Sequence, residues 1–168
     1  MEKIVVTTGS YNPLTIAHVN LLKAAMRLVD ADHGYFIITN KSYLRRKMMT
    51  SKHPSSFILS EEVRKQCIDT LNGENISFGG IELGNESPST ERTFRKFQKE
   101  HKGSDVYFAI GADKLSGFPR WRDIENLLDK INKTDKEVVY LINNLLNVSS
   151  FHKIWRMHRE NRVQYLNV

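Results

Sequence analysis

With one cysteine in 168 residues, the chain can form no internal disulfide and no zinc site built on cysteine pairs. Cys67 falls within an amphipathic helical pattern, where packing is its ordinary use. Long apolar runs are absent as well, and nothing approaches the roughly 20 residues needed to span a bilayer. The chain does not open on a basic stretch followed by an apolar segment of the kind that directs secretion. Together these absences predict a cytoplasmic protein with no membrane partner. The net charge of +6 attracts polyanions, yet the basic residues form no single run. Two clusters, at residues 41–52 and 152–162, have a solvated face as their usual explanation, though phosphate-handling enzymes need such clusters too. A composition 40% hydrophobic and 26% charged is that of an ordinary globular protein, and the length suits one domain, residues 1–168, around one core.

The most informative stretch is Thr8-Gly9-Ser10-Tyr11-Asn12-Pro13-Leu14-Thr15-Ile16-Ala17-His18. Before it, Lys3-Ile4-Val5-Val6-Thr7 is short, apolar and β-branched, as in a strand covered on both faces. After it, Val19, Leu22, Ala25, Met26 and Val29 recur at helical spacing, which predicts a helix over residues 15–29. Gly9 lets backbone approach a ligand, Pro13 fixes a turn, and Thr15 is suited to cap the helix. A loop that enters a helix N-terminus in this way is an anion site. His18 sits one turn into the helix, so its ring projects back toward the loop and can donate a hydrogen bond to the anion. Read on spacing alone, a histidine there is more often a surface or capping residue.

A second strand over residues 34–39 follows the helix through a short polar link, giving a βαβ unit with parallel strands. Ligands of such sheets bind beyond the carboxyl ends of the strands, where the Gly9 loop and the basic segment 41–52 both lie. That segment has few apolar residues, and the sequence predicts a mobile stretch there. Ser60-Glu61-Glu62 marks a capped helix with Val63, Cys67, Ile68 and Leu71 on one face, and Arg64 reads locally as a surface residue. Residues 76–83 form a third strand interrupted at Gly79-Gly80. Ser89 and Thr90 lead into an amphipathic helix carrying Thr93, Phe94 and Phe97. Residues 106–110 are another buried strand, ending in Gly111-Ala112-Asp113, with Trp121 beyond. Asp113 can accept hydrogen bonds from ribose hydroxyls, and Trp121 can either stack on an aromatic ring or pack in the core. A last strand, 138–142, precedes Asn147-Val148-Ser149-Ser150. The pattern is α/β: a Rossmann-like three-layer fold with a central parallel sheet.

Residues 9–18 resemble the G-x-F-[DN]-P-x-[HT]-x-G-H signature of the HIGH-type nucleotidyltransferase superfamily, with Ala17 in place of the usual glycine, a methyl expected to narrow the site. Ser89-Thr90-Glu91-Arg92-Thr93-Phe94 resembles the S-Y-T-x-x-T-L element of nicotinate-nucleotide adenylyltransferases, although Ser89 replaces the aromatic residue. Gly111-Ala112-Asp113 with Trp121 resembles their G-A-D-x7-W pattern. Ser149 and Ser150 match the start of I-S-S-T-x-x-R, but Phe151 replaces the threonine and the arginine is displaced or missing. The resemblance implies transfer of an adenylyl group from ATP to nicotinate or nicotinamide mononucleotide in NAD biosynthesis, with substrate-borne Mg2+ and no resident metal. It implies catalytic roles for His18, Thr15 and Lys47, with Arg46 as the other basic candidate. Gly9, Ser10, Tyr11, Asn12, Gly111, Asp113, Ser149 and Ser150 would hold ATP, and Thr90 and Trp121 would face the pyridine nucleotide. Arg64 falls where these adenylyltransferases carry an arginine early in the matching helix. The implied partners are small-molecule nucleotides rather than nucleic acid, and a homo-oligomer stays open. So do another phosphorylated acceptor, a non-catalytic nucleotide-binding homologue, and a polyanion-binding module.

Overall fold

Ile4, Val5 and Val6 are β-branched, and all three are buried at the centre of a sheet, where such side chains pack best. The structure, a computed structural model, describes residues 1–50, 57–84 and 89–111. Their strands are β1 (Lys3–Gly9), β2 (His33–Ile38), β3 (Ile76–Gly79) and β4 (Asp105–Phe108). All pair in parallel, in the order β3-β2-β1-β4. Val5 stands opposite Gly34 on one side and Tyr107 on the other. The chain therefore walks outward from β1 to β3 and then returns to the other flank of β1 for β4. Such a reversal opens a crevice beyond the carboxyl ends of the strands.

Helices cover both faces. Helix α1 (Ile16–Val29) buries Leu22, Ala25 and Val29 against Val5 and Phe36, and Ile68 of α3 (Glu61–Asp69) joins the same core. Gly34 makes this close approach possible, because a Cβ there would meet the Met26 sulfur at 2.6 Å. Tyr35 points to the opposite face, as the pleat requires, and its ring meets Phe97 of α4 (Thr90–Glu100) at 5.1 Å. Phe94 of the same helix meets Phe108 edge to face at 6.2 Å. Full burial of side chains such as Leu22 and Phe36 contributes about 1.5–3 kcal/mol each.

Three local details differ from the sequence reading. Residues 41–49, given no element by the sequence, form helix α2 (Lys41–Met49), started by Asn40, whose Oδ1 accepts the Tyr43 amide at 2.8 Å. Its lysines, arginines, leucine and methionines are strong helix formers, and only Leu44 is buried, so the sequence shows no amphipathic period. In α3 the buried positions are Arg64 and Ile68 rather than Val63, which is exposed. The caps Thr15, Ser60 and Ser89 stand where the sequence puts them. The third strand is shorter than residues 76–83 and stops at Gly79. The expected strand over 138–142 lies outside the described residues.

Candidate functional site

The carboxyl ends of the four strands border one cleft of about 780 Å³. Gly9 ends β1, Thr39 follows β2, Glu82 follows β3, and Ala109 to Gly111 follow β4; all of them line it. Gly9, Ser10, Tyr11, Asn12, Thr15, His18, Lys47, Thr90 and Gly111, separated by up to a hundred residues in sequence, meet there. Asp113, Trp121, Ser149 and Ser150 lie outside the described residues. Arg46 does not line the cleft; its guanidinium lies 5.9 Å from the Tyr43 ring. Of the two basic candidates on α2, the cleft receives Lys47. Ala17 is exposed and off the lining, so its extra methyl does not narrow the cavity wall.

The Gly9 loop is held from below. Tyr11 is buried, in the left-handed region at φ 44°, with its hydroxyl donating to Thr7 Oγ1 at 3.2 Å. Burial pushes its phenol well above the usual tyrosine range, so the group is a neutral donor at any working pH. Its ring packs edge-on against Phe36 and His18, and a Cβ on Gly9 would meet it at 3.0 Å. Asn12 commits both ends of its amide to structure: Nδ2 donates to Phe57 O at 3.1 Å and Oδ1 accepts the Leu59 amide at 2.8 Å. It thereby ties the approach to α3 onto the loop.

Thr15 and His18 form a reciprocal cap. The His18 amide makes a long 3.5 Å contact to Thr15 Oγ1, while the Thr15 amide donates to His18 Nδ1 at 3.1 Å. An amide N–H can only donate, so Nδ1 accepts and the ring proton is assigned to Nε2. The cap therefore selects the tautomer in which the other ring nitrogen is a donor.

Among the described residues the burial of Arg64, Glu82 and Glu91 escaped the sequence reading, and the first two bear on the site. Arg64 is fully buried, and its Nη1 donates to Ser10 O at 2.9 Å and to Thr39 O at 2.7 Å. Its placement, one position along from the expected apolar face, is legible only as a period shared with Ile68 and Leu71. Glu82, 5% exposed, accepts from Thr93 Oγ1 at 2.7 Å, and its main-chain oxygen accepts from Asn40 Nδ2 at 3.3 Å. Burial raises its carboxyl above the usual value, opposed by hydrogen bonds from Thr93 and Thr39 and by the charge of Lys47. Among the described residues the cleft thus has backbone and helix-end donors beside Gly9, an imidazole donor, one lysine, and a buried acid. That set can bind and neutralise a phosphate chain.

Residues 6–163 match the family model described as cytidylyltransferase-like. The fold is similar to that of Plasmodium falciparum nicotinic acid mononucleotide adenylyltransferase complexed with APC, at 15% identity and TM-score 0.71, over 100% of this chain and 75% of that one. The same enzyme complexed with NaAD matches at 14% identity and TM-score 0.70, over 100% and 76%. A Vibrio parahaemolyticus protein with the provisional description nicotinate-nucleotide adenylyltransferase matches at 17% identity and TM-score 0.61, over 96% and 84%. With a parallel sheet, a phosphate-type loop at its ligand edge and a family match over most of its length, the chain belongs to the cytidylyltransferase-like family of HIGH-type nucleotidyltransferases.

Proposed function

We propose that the protein is an adenylyltransferase that joins ATP to nicotinate or nicotinamide mononucleotide, releasing pyrophosphate, in NAD biosynthesis. The observation that carries this reading is the meeting of the Gly9 loop, His18, Lys47, Thr90 and Gly111 around one cleft. Two of the solved structures similar in fold are adenylyltransferases for that pyridine nucleotide, which supports the choice of acceptor.

In the reaction, an oxygen of the acceptor phosphate attacks the α-phosphorus of ATP. The bond from that phosphorus to the bridging oxygen breaks, and pyrophosphate leaves with the electron pair. No covalent intermediate with the protein is needed, so the chain acts by alignment and charge neutralisation. His18 donates from Nε2 to a phosphate oxygen whose charge grows in the transition state, and Thr15 keeps the ring in that tautomer. Lys47 neutralises the departing pyrophosphate. Gly9, Ser10 and Gly111 bring backbone against the nucleotide, Tyr11 and Asn12 shape the loop, and Thr90 lies on the acceptor side. Among the described residues no group of three His, Cys, Asp or Glu side chains is placed to hold a metal; in this reading Mg2+ enters with the triphosphate as part of the substrate.

ATP labelled at the α-phosphate tests the chemistry. Label should pass into a dinucleotide, while label at the γ-phosphate should appear in pyrophosphate. Production of labelled inorganic phosphate or ADP instead would contradict adenylyl transfer.

A further inference from the structure

Arg64 is a fully buried cation that does not line the cleft, yet it binds the loop that does. One nitrogen, Nη1, makes both of its hydrogen bonds, to Ser10 O and to Thr39 O. Thr39 in turn grips the loop, its amide donating to Gly9 O at 3.0 Å. Three elements, the end of β1, the end of β2 and α3, are thus joined at one guanidinium. Nε and Nη2 are buried with no partner among the described residues, an arrangement that is a poor choice for stability alone.

The geometry points to Arg64 as the positioning residue that sets the peptide between Ser10 and Tyr11 for phosphate binding. A trans peptide is planar, and its C=O and N–H point in opposite directions. Drawing the Ser10 carbonyl down onto Arg64 therefore turns the Tyr11 N–H away from Arg64, toward the side on which Ser10 and Tyr11 border the cleft. The same pull holds Tyr11 in its left-handed backbone conformation, which a tyrosine adopts only under constraint. Without the guanidinium the peptide can rotate and present an oxygen to the phosphates in place of a donor. This role rests on the adenylyltransferase reading for its ligand, but not on the identity of the acceptor.

The test compares Arg64→Met and Arg64→Lys with the parent, measuring affinity for Mg-ATP, for Mg-pyrophosphate and for adenosine by calorimetry. Met removes the donor; Lys keeps one charged donor nitrogen, on a stem one atom shorter. In the Met variant, ATP and pyrophosphate affinity should fall at least about tenfold, the scale of one hydrogen bond to a charged group. Adenosine affinity should stay within about twofold, and Lys should recover most of the loss. An equal loss for adenosine, or no loss for the phosphate ligands, would overturn the proposal. If the Met variant does not fold, the Lys variant carries the comparison; if neither folds, Arg64 serves the fold and the proposal fails. A parent that binds ATP but transfers nothing to any acceptor would sink the adenylyltransferase reading while leaving the Arg64 comparison intact. A parent that binds neither ATP nor pyrophosphate would end both.

Discussion

Nδ1 of His18 faces the Thr15 amide at 3.1 Å, and that contact decides what the other side of the ring can do. With the proton on Nε2, His18 is a donor of the kind whose removal costs roughly 10²–10³ in turnover. His18→Ala should therefore lower turnover at least about a hundredfold with little change in the unfolding midpoint, and near-normal turnover would remove His18 from the mechanism. Lys47 and Arg46 separate on geometry, since only Lys47 borders the cleft. Lys47→Ala should raise KM for Mg-ATP about tenfold, as expected for one charge-assisted contact, whereas Arg46→Ala should leave it within about twofold. Steady-state kinetics on the pair checks this directly. His18 was legible in the sequence because a glycine loop and a helix start fix its place locally. Arg64 and Glu82 were not, because burying a charge depends on carbonyls and hydroxyls that come from distant elements.

Among the elements, capped helices were the easiest to place. Thr15, Ser60 and Ser89 all announce a helix start through their own side chains, so local chemistry suffices. Helix α2 was missed because its propensity is high but its apolar period is absent, and period is the stronger signal on reading. The buried face of α3 was misplaced by one residue because Arg64 takes a position that a hydrophobicity pattern reserves for an apolar side chain. Asn12 shows how elements at the site depend on one another. Asn12→Ala removes the acceptor for the Leu59 amide, and that amide should exchange with solvent markedly faster, as read by hydrogen exchange. Unchanged protection at Leu59 would mean that the approach to α3 is held by other contacts.

At the level of the whole molecule, strand order and chemistry agree. The parallel order β3-β2-β1-β4 opens a crevice beside β1, and the phosphate-type loop leaves β1 into it. The sequence showed the strands and the loop, but the order around β1 comes from tertiary packing. The buried acid Glu82 links stability to pH. Burial raises the Glu82 carboxyl above its ordinary value of 4.5, so its contribution to stability is fully present below that pH and is lost as pH rises through the folded value. Glu82→Gln cannot ionise. The midpoint of the variant relative to the parent should therefore climb as pH increases from 4.5, and a flat difference in thermal unfolding across that range would contradict the assignment.

The central claim is that this cleft moves an adenylyl group onto a pyridine mononucleotide. Its most direct test is pyrophosphate release from Mg-ATP by the purified protein, with nicotinate mononucleotide, nicotinamide mononucleotide, phosphopantetheine or no acceptor. Release that depends on one of the two pyridine nucleotides, and is absent without acceptor, is the predicted result. Release with phosphopantetheine alone, or ATP binding with no release under any condition, would contradict it.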